Sequence, residues 1–306
     1  MQMRIVRNRL IMITRICILK SEMNKNELTF LNKSHKHLVV LPFFICGIFA
    51  AGICTKAHAD VDPFEFQVYG YQTQGKGNLD PELLSSYIVA GHKAGEGGTS
   101  PTFASQSMMR FAIELDYGLT DKIDFAYYLN LARPDGQDLQ YAGSKFRFRG
   151  RFAEAGELPV DLGWYSEIEW WSSKFNDDQV EAEVMLTLQK DVGNWTFIVN
   201  APDIDKVIVG DNRSEVFEVG YRGEASYQMT ERTRLGLQFY GAPGKVNDVT
   251  PIGQQQHYVV PTLHTVLFNT IPSSFGLGFG LTQGSDLFFL KANFHFGGDI
   301  SERIYD

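Results

Sequence analysis

The sequence predicts an all-β fold: a single antiparallel transmembrane β-barrel of about twelve strands, preceded by a cleaved signal peptide. Three observations predict it. After Asp60 the chain falls into about twelve runs in which apolar and polar residues alternate, the period of a strand with two unlike faces. The links between the runs alternate between long and short, as in barrels with longer outer loops and short periplasmic turns. A basic and then apolar leader ends in a small-x-small processing signal.

The leader comes first. Residues 38–53 (LVVLPFFICGIFAAGI) are an apolar run too short for a comfortable membrane-spanning helix, with Lys25, Lys33 and Lys36 before them. Ala57-His58-Ala59 follows, so cleavage is expected before Asp60, leaving a leader of 1–59 and a barrel of 60–306. Met23 is an alternative start, because residues 1–22 add a second basic and apolar stretch that export does not need. Cys54 follows Ile53, where a lipobox wants a small residue, so a lipoprotein is disfavoured.

Cleavage changes the charge balance. Of 28 basic and 36 acidic residues, nine and two precede Asp60, which leaves 19 against 34 and a mature charge of −15. That balance argues against nucleic acid as a partner. All three cysteines (Cys17, Cys46, Cys54) lie in the leader, which excludes disulfides, thiolate metal sites and cysteine nucleophiles from the mature chain. No mature segment has the ~20 consecutive apolar residues of a helical span, so a membrane would be crossed by strands.

The first run is 64–72, with Phe64, Phe66 and Val68 on one face. A long polar stretch, 73–105, is read as an outer loop in which 81–90 (PELLSSYIVA) fits a short helix or a plug-like segment. In 108–117, Phe111, Ile113, Leu115 and Tyr117 oppose Arg110, Glu114 and Asp116. The run 123–131 follows after a tight turn. Runs at 179–189, 195–209, 216–227, 233–240, 257–268, 275–281 and 287–296 lie beyond a central pair within 141–170. Two of these fit less well, because Pro202 and Pro261 interrupt 195–209 and 257–268, and proline removes a ladder hydrogen bond. Trp164, Trp170, Trp171 and Trp195 sit near run ends, where an interfacial girdle would place them. An even strand number puts both ends of the barrel on the short-turn side.

The central pair carries the sharpest pattern. Phe146, Phe148 and Phe152 share one parity and Lys145, Arg147, Arg149 and Arg151 the other. In the next run Val160, Leu162, Trp164, Ile168 and Trp170 oppose Asp161, Tyr165, Glu167 and Glu169. A charge facing lipid at midplane costs ~2–4 kcal/mol, so four basic residues on one face must look into the lumen. Lys145, Arg147, Arg149 and Arg151 are therefore expected to form a lumen-lining charged wall with Glu167 and Glu169, and with Glu181 and Glu183 one strand further. On the same reasoning Thr187 faces the lumen, where an arginine should be tolerated. The wall reads either as a polar pore whose charges select solutes or as a salt-bridge network closing a narrow barrel, and the balance tips slightly to the open lumen because so many like charges on one strand are easier to hydrate than to bury.

The stretches YGLTDKIDFAYYLN, DLQYAGSKFRFRGRF and LPVDLGWYSEIEW resemble Gram-negative outer-membrane β-barrel proteins of the transporter-like or "MetA-pathway of phenol degradation"-like group. The resemblance covers most of 62–296 and implies fold and outer-membrane location, with lipid around the barrel. It supplies no catalytic residues.

Three function classes remain. The expected one is a passive, transporter-like channel for small solutes, with no enzyme activity and no cofactor. The second is a closed barrel with a structural or surface-interaction role. The third is a barrel hydrolase, for which Ser105, Ser107 and His295 are the only candidates and no local motif supports them. His92, His257, His264 and His295 lack metal-ligand spacing, so no metal site is expected. Gly75-Lys76-Gly77 and 95–98 read as flexible loop, because no strand–loop–helix context surrounds them. The solute and the oligomeric state are not written in the residues.

Overall fold

The computed structural model describes residues 61–93, 103–211, 213 and 216–297. The leader, its expected cleavage point and the tail after Gly297 lie outside the described residues. The chain forms β1 (Leu79–Ala90), β2 (Met109–Thr120), β3 (Ile123–Arg133), β4 (Gln140–Arg151), β5 (Asp161–Trp171), β6 (Asp178–Val192), β7 (Trp195–Gly210), β8 (Glu218–Thr230), β9 (Thr233–Lys245), the two-residue β10 (Asp248–Val249), β11 (Gln256–Leu267), β12 (Ile271–Gly280) and β13 (Phe288–His295). The twelve long strands pair antiparallel in sequence order, and β1 also pairs with β13, so the sheet closes into a barrel. Closure satisfies every strand edge, which lipid demands of a spanning sheet.

The wall follows the alternation. On β4, Phe146 and Phe148 point outward while Lys145, Arg147 and Arg149 are buried inside. Ile113, Leu115, Leu186, Leu237, Phe239 and Leu290 continue the exposed apolar band around the barrel. Phe125 and Phe148 pack across β3 and β4 with ring centroids 5.1 Å apart, so the band is partly knitted by aromatic pairs. Phe148 is 42% exposed on this face. Phe148→Arg should therefore reduce assembly, by up to the ~2–4 kcal/mol of a midplane charge, read as loss of the heat-modifiable band on a gel.

The two ends differ. Links 121–122, 193–194, 231–232 and 268–270 are short turns, and 152–160 is the longest link at that end. The opposite end carries 91–108, 134–139, 172–177, 211–217, 246–255 and 281–287.

Two readings of the N-terminal region are corrected. Residues 64–72 are not a strand. Phe64 to Tyr71 are buried without a break, whereas a wall strand would expose every second residue. The stretch 73–105 is not one loop, because 79–90 is β1 and pairs on both sides; no helix forms at 81–90. Pro81 is tolerated near the start of β1, where its carbonyl accepts from Phe296 N at 2.9 Å. Apolar residues on both parities hid this strand. Tyr87 and Val89 face outward, while Leu84 and Ile88 are buried inside.

Residues 61–74 run through the lumen. Val61 N donates to Gln256 Oε1 at the long-loop end (3.0 Å), and Thr73 Oγ1 donates to Asp121 O at the short-turn end (2.9 Å). Gly75 and Gly77, with φ of 72° and 82°, then reverse the chain into β1, a conformation that a side chain would strain. The described chain thus starts at the long-loop mouth, not on the short-turn side, while β13 ends at the short-turn side as expected.

Candidate functional site

The lumen is occupied by 61–74, and the inward charges of the wall close around that segment. Tyr69 sits at the centre. Its amide donates to Asn200 Oδ1 (2.7 Å) and its carbonyl accepts from Asn200 Nδ2 (2.8 Å). One asparagine side chain thereby satisfies both backbone groups that a neighbouring strand would otherwise pair. The guanidinium carbons of Arg147, Arg149 and Arg222 lie 5.4, 5.6 and 5.9 Å from the Tyr69 ring centroid, within cation–π range. Further along, Tyr71 N donates to Gln189 Oε1 (3.2 Å) and Gln74 N to Asp124 Oδ2 (3.2 Å).

Toward the long-loop end the contacts turn apolar. Phe66 stacks on Phe289 at 4.0 Å and meets the edges of Tyr240 and Tyr258, each at 5.5 Å. Lys291 Nζ reaches the Phe66 carbonyl at 2.5 Å. Phe64 packs against Trp171 at 5.1 Å.

Most of the charged wall is ion-paired, but not in the register expected. Lys145 alone takes Glu167 (3.0 Å) and Glu169 (3.1 Å) across β5, and adds Glu65 (3.0 Å) and Asp62 from the lumenal segment. Arg147 turns the other way, to Glu114 (2.7 Å), Asp116 (2.7 Å) and Asp124 (3.5 Å), and donates to the Tyr128 hydroxyl at 2.7 Å. Arg149 reaches Asp124 (3.3 Å) and Asp116 (3.6 Å). Arg151, at the strand end, pairs with the half-exposed Glu154 (3.0 Å). Glu183 binds Arg222 at 2.8 Å, and Glu181 accepts from Asn176 Nδ2 at 3.0 Å.

The expected open, hydrated lumen is therefore corrected at this level. Lys145 and Arg147 are each 1% exposed, and their charges are matched by buried carboxylates rather than by water. Thr187 is corrected with them: it is buried and its hydroxyl accepts from Asn200 Nδ2 at 3.1 Å. Thr187→Arg should fail to assemble much as Phe148→Arg does, because it overpacks a filled site and adds an unmatched charge. Equal gel mobility of Thr187→Arg and the parent protein would contradict the packing.

Sequence reasoning misses Glu65, Tyr69, Asn200 and Lys291, since the alternation of 64–72 mimics a wall strand and Pro202 obscures the phase at Asn200; Arg222 is legible only as one of the polar face of its run, opposite Phe217 and Tyr221. The candidate hydrolase residues do not meet. Ser105 Oγ donates to Asp286 at the long-loop end, while His295 pairs with Asp80 (3.3 Å) and Glu82 (3.2 Å) at the short-turn end.

No protein-family model matches the sequence, and no curated protein matches it. Among solved structures, the chain is similar to an outer-membrane channel from Pseudomonas putida F1, at 13% identity and a TM-score of 0.50 over 78% of this chain and 100% of that one. The NanC porin aligns at 10% identity and a TM-score of 0.48, over 70% of this chain and 97% of its own. Outer membrane phospholipase A from Escherichia coli aligns at 10% identity and a TM-score of 0.41, over 72% and 92%. The first of these likenesses bears out the fold, a closed antiparallel barrel of twelve long strands.

Proposed function

We propose that this chain is a passive outer-membrane channel for small solutes, held here in a plugged state by its own N-terminal segment. One observation carries the reading: the segment 61–74 fills the lumen without pairing as a strand, so it can leave without opening the wall. Its contacts are side-chain hydrogen bonds, ion pairs and ring packing, all of which water or a solute can replace. A barrel of twelve long strands also exceeds the ~8 whose interior side chains alone fill. The resemblance of the central strands to the transporter-like group supports outer-membrane placement.

The second reading, a permanently closed structural barrel, is favoured by the density of buried ion pairs around Lys145 and Arg147. Liposome swelling in a graded series of uncharged solutes tests between them. The channel reading expects slow swelling that is confined to the smaller solutes. Complete absence of swelling would favour the closed barrel. Lipid hydrolysis in the same vesicles would contradict both.

A further inference from the structure

We infer that the lumen carries a calcium site near its long-loop end, built from Glu183, Asp203 and Asp205. The inference does not depend on whether the barrel conducts. It begins with β7, where the pairing with β8 shifts register between Asn200 and Asp203. Ala201 and Pro202 together oppose the single residue Tyr221, and this one extra residue switches the inward parity from Asn200 to Asp203 and Asp205, as a bulge does. Asp205 then lies opposite Glu183 on β6 and Glu218 on β8. Like charges directly opposed across strands are destabilising unless a cation sits between them.

The local cations do not suffice. One carboxylate oxygen from each of Glu183, Asp203 and Asp205 lies within 4.8 Å of the others. Arg222 takes Glu183 at 2.8 Å and Asp203 Oδ2 at 3.1 Å, and it also lies 3.9 Å from Glu65. Asp205 makes no ion pair among the described residues. Asp203 Oδ1, on a side chain 7% exposed, has no hydrogen-bond partner among them. A buried carboxylate oxygen left without a partner is costly, and a metal ion is one remedy.

The space suits an ion with part of its hydration shell. The three residues line a cavity of about 90 Å³, large enough for several waters. Asp178, Glu181 and Glu218 line the same cavity and add to its negative potential, beside Asp62 and Glu169, which Lys145 already pairs. An all-oxygen site supplied by side chains of two strands, with room for waters to complete six to eight ligands, matches calcium. Magnesium demands a tighter octahedron.

Terbium luminescence excited through tryptophan tests the site on the purified barrel, because Trp171 lines the cavity. The expected result is saturable terbium emission that calcium displaces better than magnesium. Asp205→Asn should weaken calcium binding about tenfold or more, since affinity follows ligand charge. This residue is chosen because it makes no ion pair that its loss would break. Glu154→Gln, at the other end of the barrel, should bind calcium like the parent protein. If Asp205→Asn does not fold, Trp171→Phe replaces it: sensitised emission should disappear while the calcium-induced rise in melting temperature remains. Absence of saturable binding in the parent protein, undiminished affinity in Asp205→Asn, or persistent emission in Trp171→Phe would each overturn the assignment.

Discussion

Arg147→Gln should destabilise the barrel by about 3–5 kcal/mol, the range for breaking a buried ion pair by removing one partner. The side chain is 1% exposed and lies 2.7 Å from both Glu114 and Asp116. Glutamine is shorter and neutral, so it cannot restore either contact. Arg149 partly compensates Asp116 from 3.6 Å, but Glu114 is left without a cation among the described residues. The comparison is Lys122→Gln. Lys122 pairs with Glu154 at 3.2 Å, yet both side chains are about half exposed. Exposed pairs contribute ~0–1 kcal/mol, so this variant should unfold close to the parent protein. Urea unfolding of detergent-solubilised barrels distinguishes the two. Equal midpoints for Arg147→Gln and Lys122→Gln would mean that water reaches Arg147.

The wall was legible in the sequence wherever one parity meets lipid and the other meets charge. At β4, Phe146 and Phe148 against Lys145 and Arg147 leave a single sensible facing, and the fold agrees. Legibility failed where the lumen is itself apolar. Ile88, Tyr258 and Val260 point inward because Phe66 and Val68 lie behind them, and Leu84 packs inside on Ala112, Ala126 and Tyr128, so β1 and β11 are apolar on both parities. It failed again at β7, where the bulge at Ala201 and Pro202 switches phase midway and averages the alternation away. The lumenal segment alternates as a strand would, and nothing local shows that both its faces are enclosed. Strand count offered a clue: accepting both 64–72 and 79–90 as wall would give thirteen long strands, an odd number for a bacterial outer-membrane barrel. Ion-pair partners were legible by parity but not by choice. Arg147 lies opposite Glu167 yet binds Glu114, because Lys145 already takes Glu167.

Removing residues 61–72 should turn an occluded barrel into a permanently conducting one. The deleted segment contributes no wall strand, so the closed sheet keeps every strand pairing. The loss falls on the lumen, which gives up the buried rings of Phe64, Phe66, Tyr69 and Tyr71. Each buried aromatic side chain stabilises by roughly 1.5–3 kcal/mol, so the shortened protein should melt lower while still assembling. Lys145, Arg222 and Lys291 would then exchange their partners Asp62, Glu65 and the Phe66 carbonyl for water, and Arg147 would lose only its contact with the Tyr69 ring. Single-channel recording of both proteins in planar bilayers is the most direct test of the occluded lumen. The account predicts long closed intervals with brief openings for the full chain, and a steady open current after deletion. A steady current of the same size from both proteins would show that the segment does not block the lumen and would contradict the account.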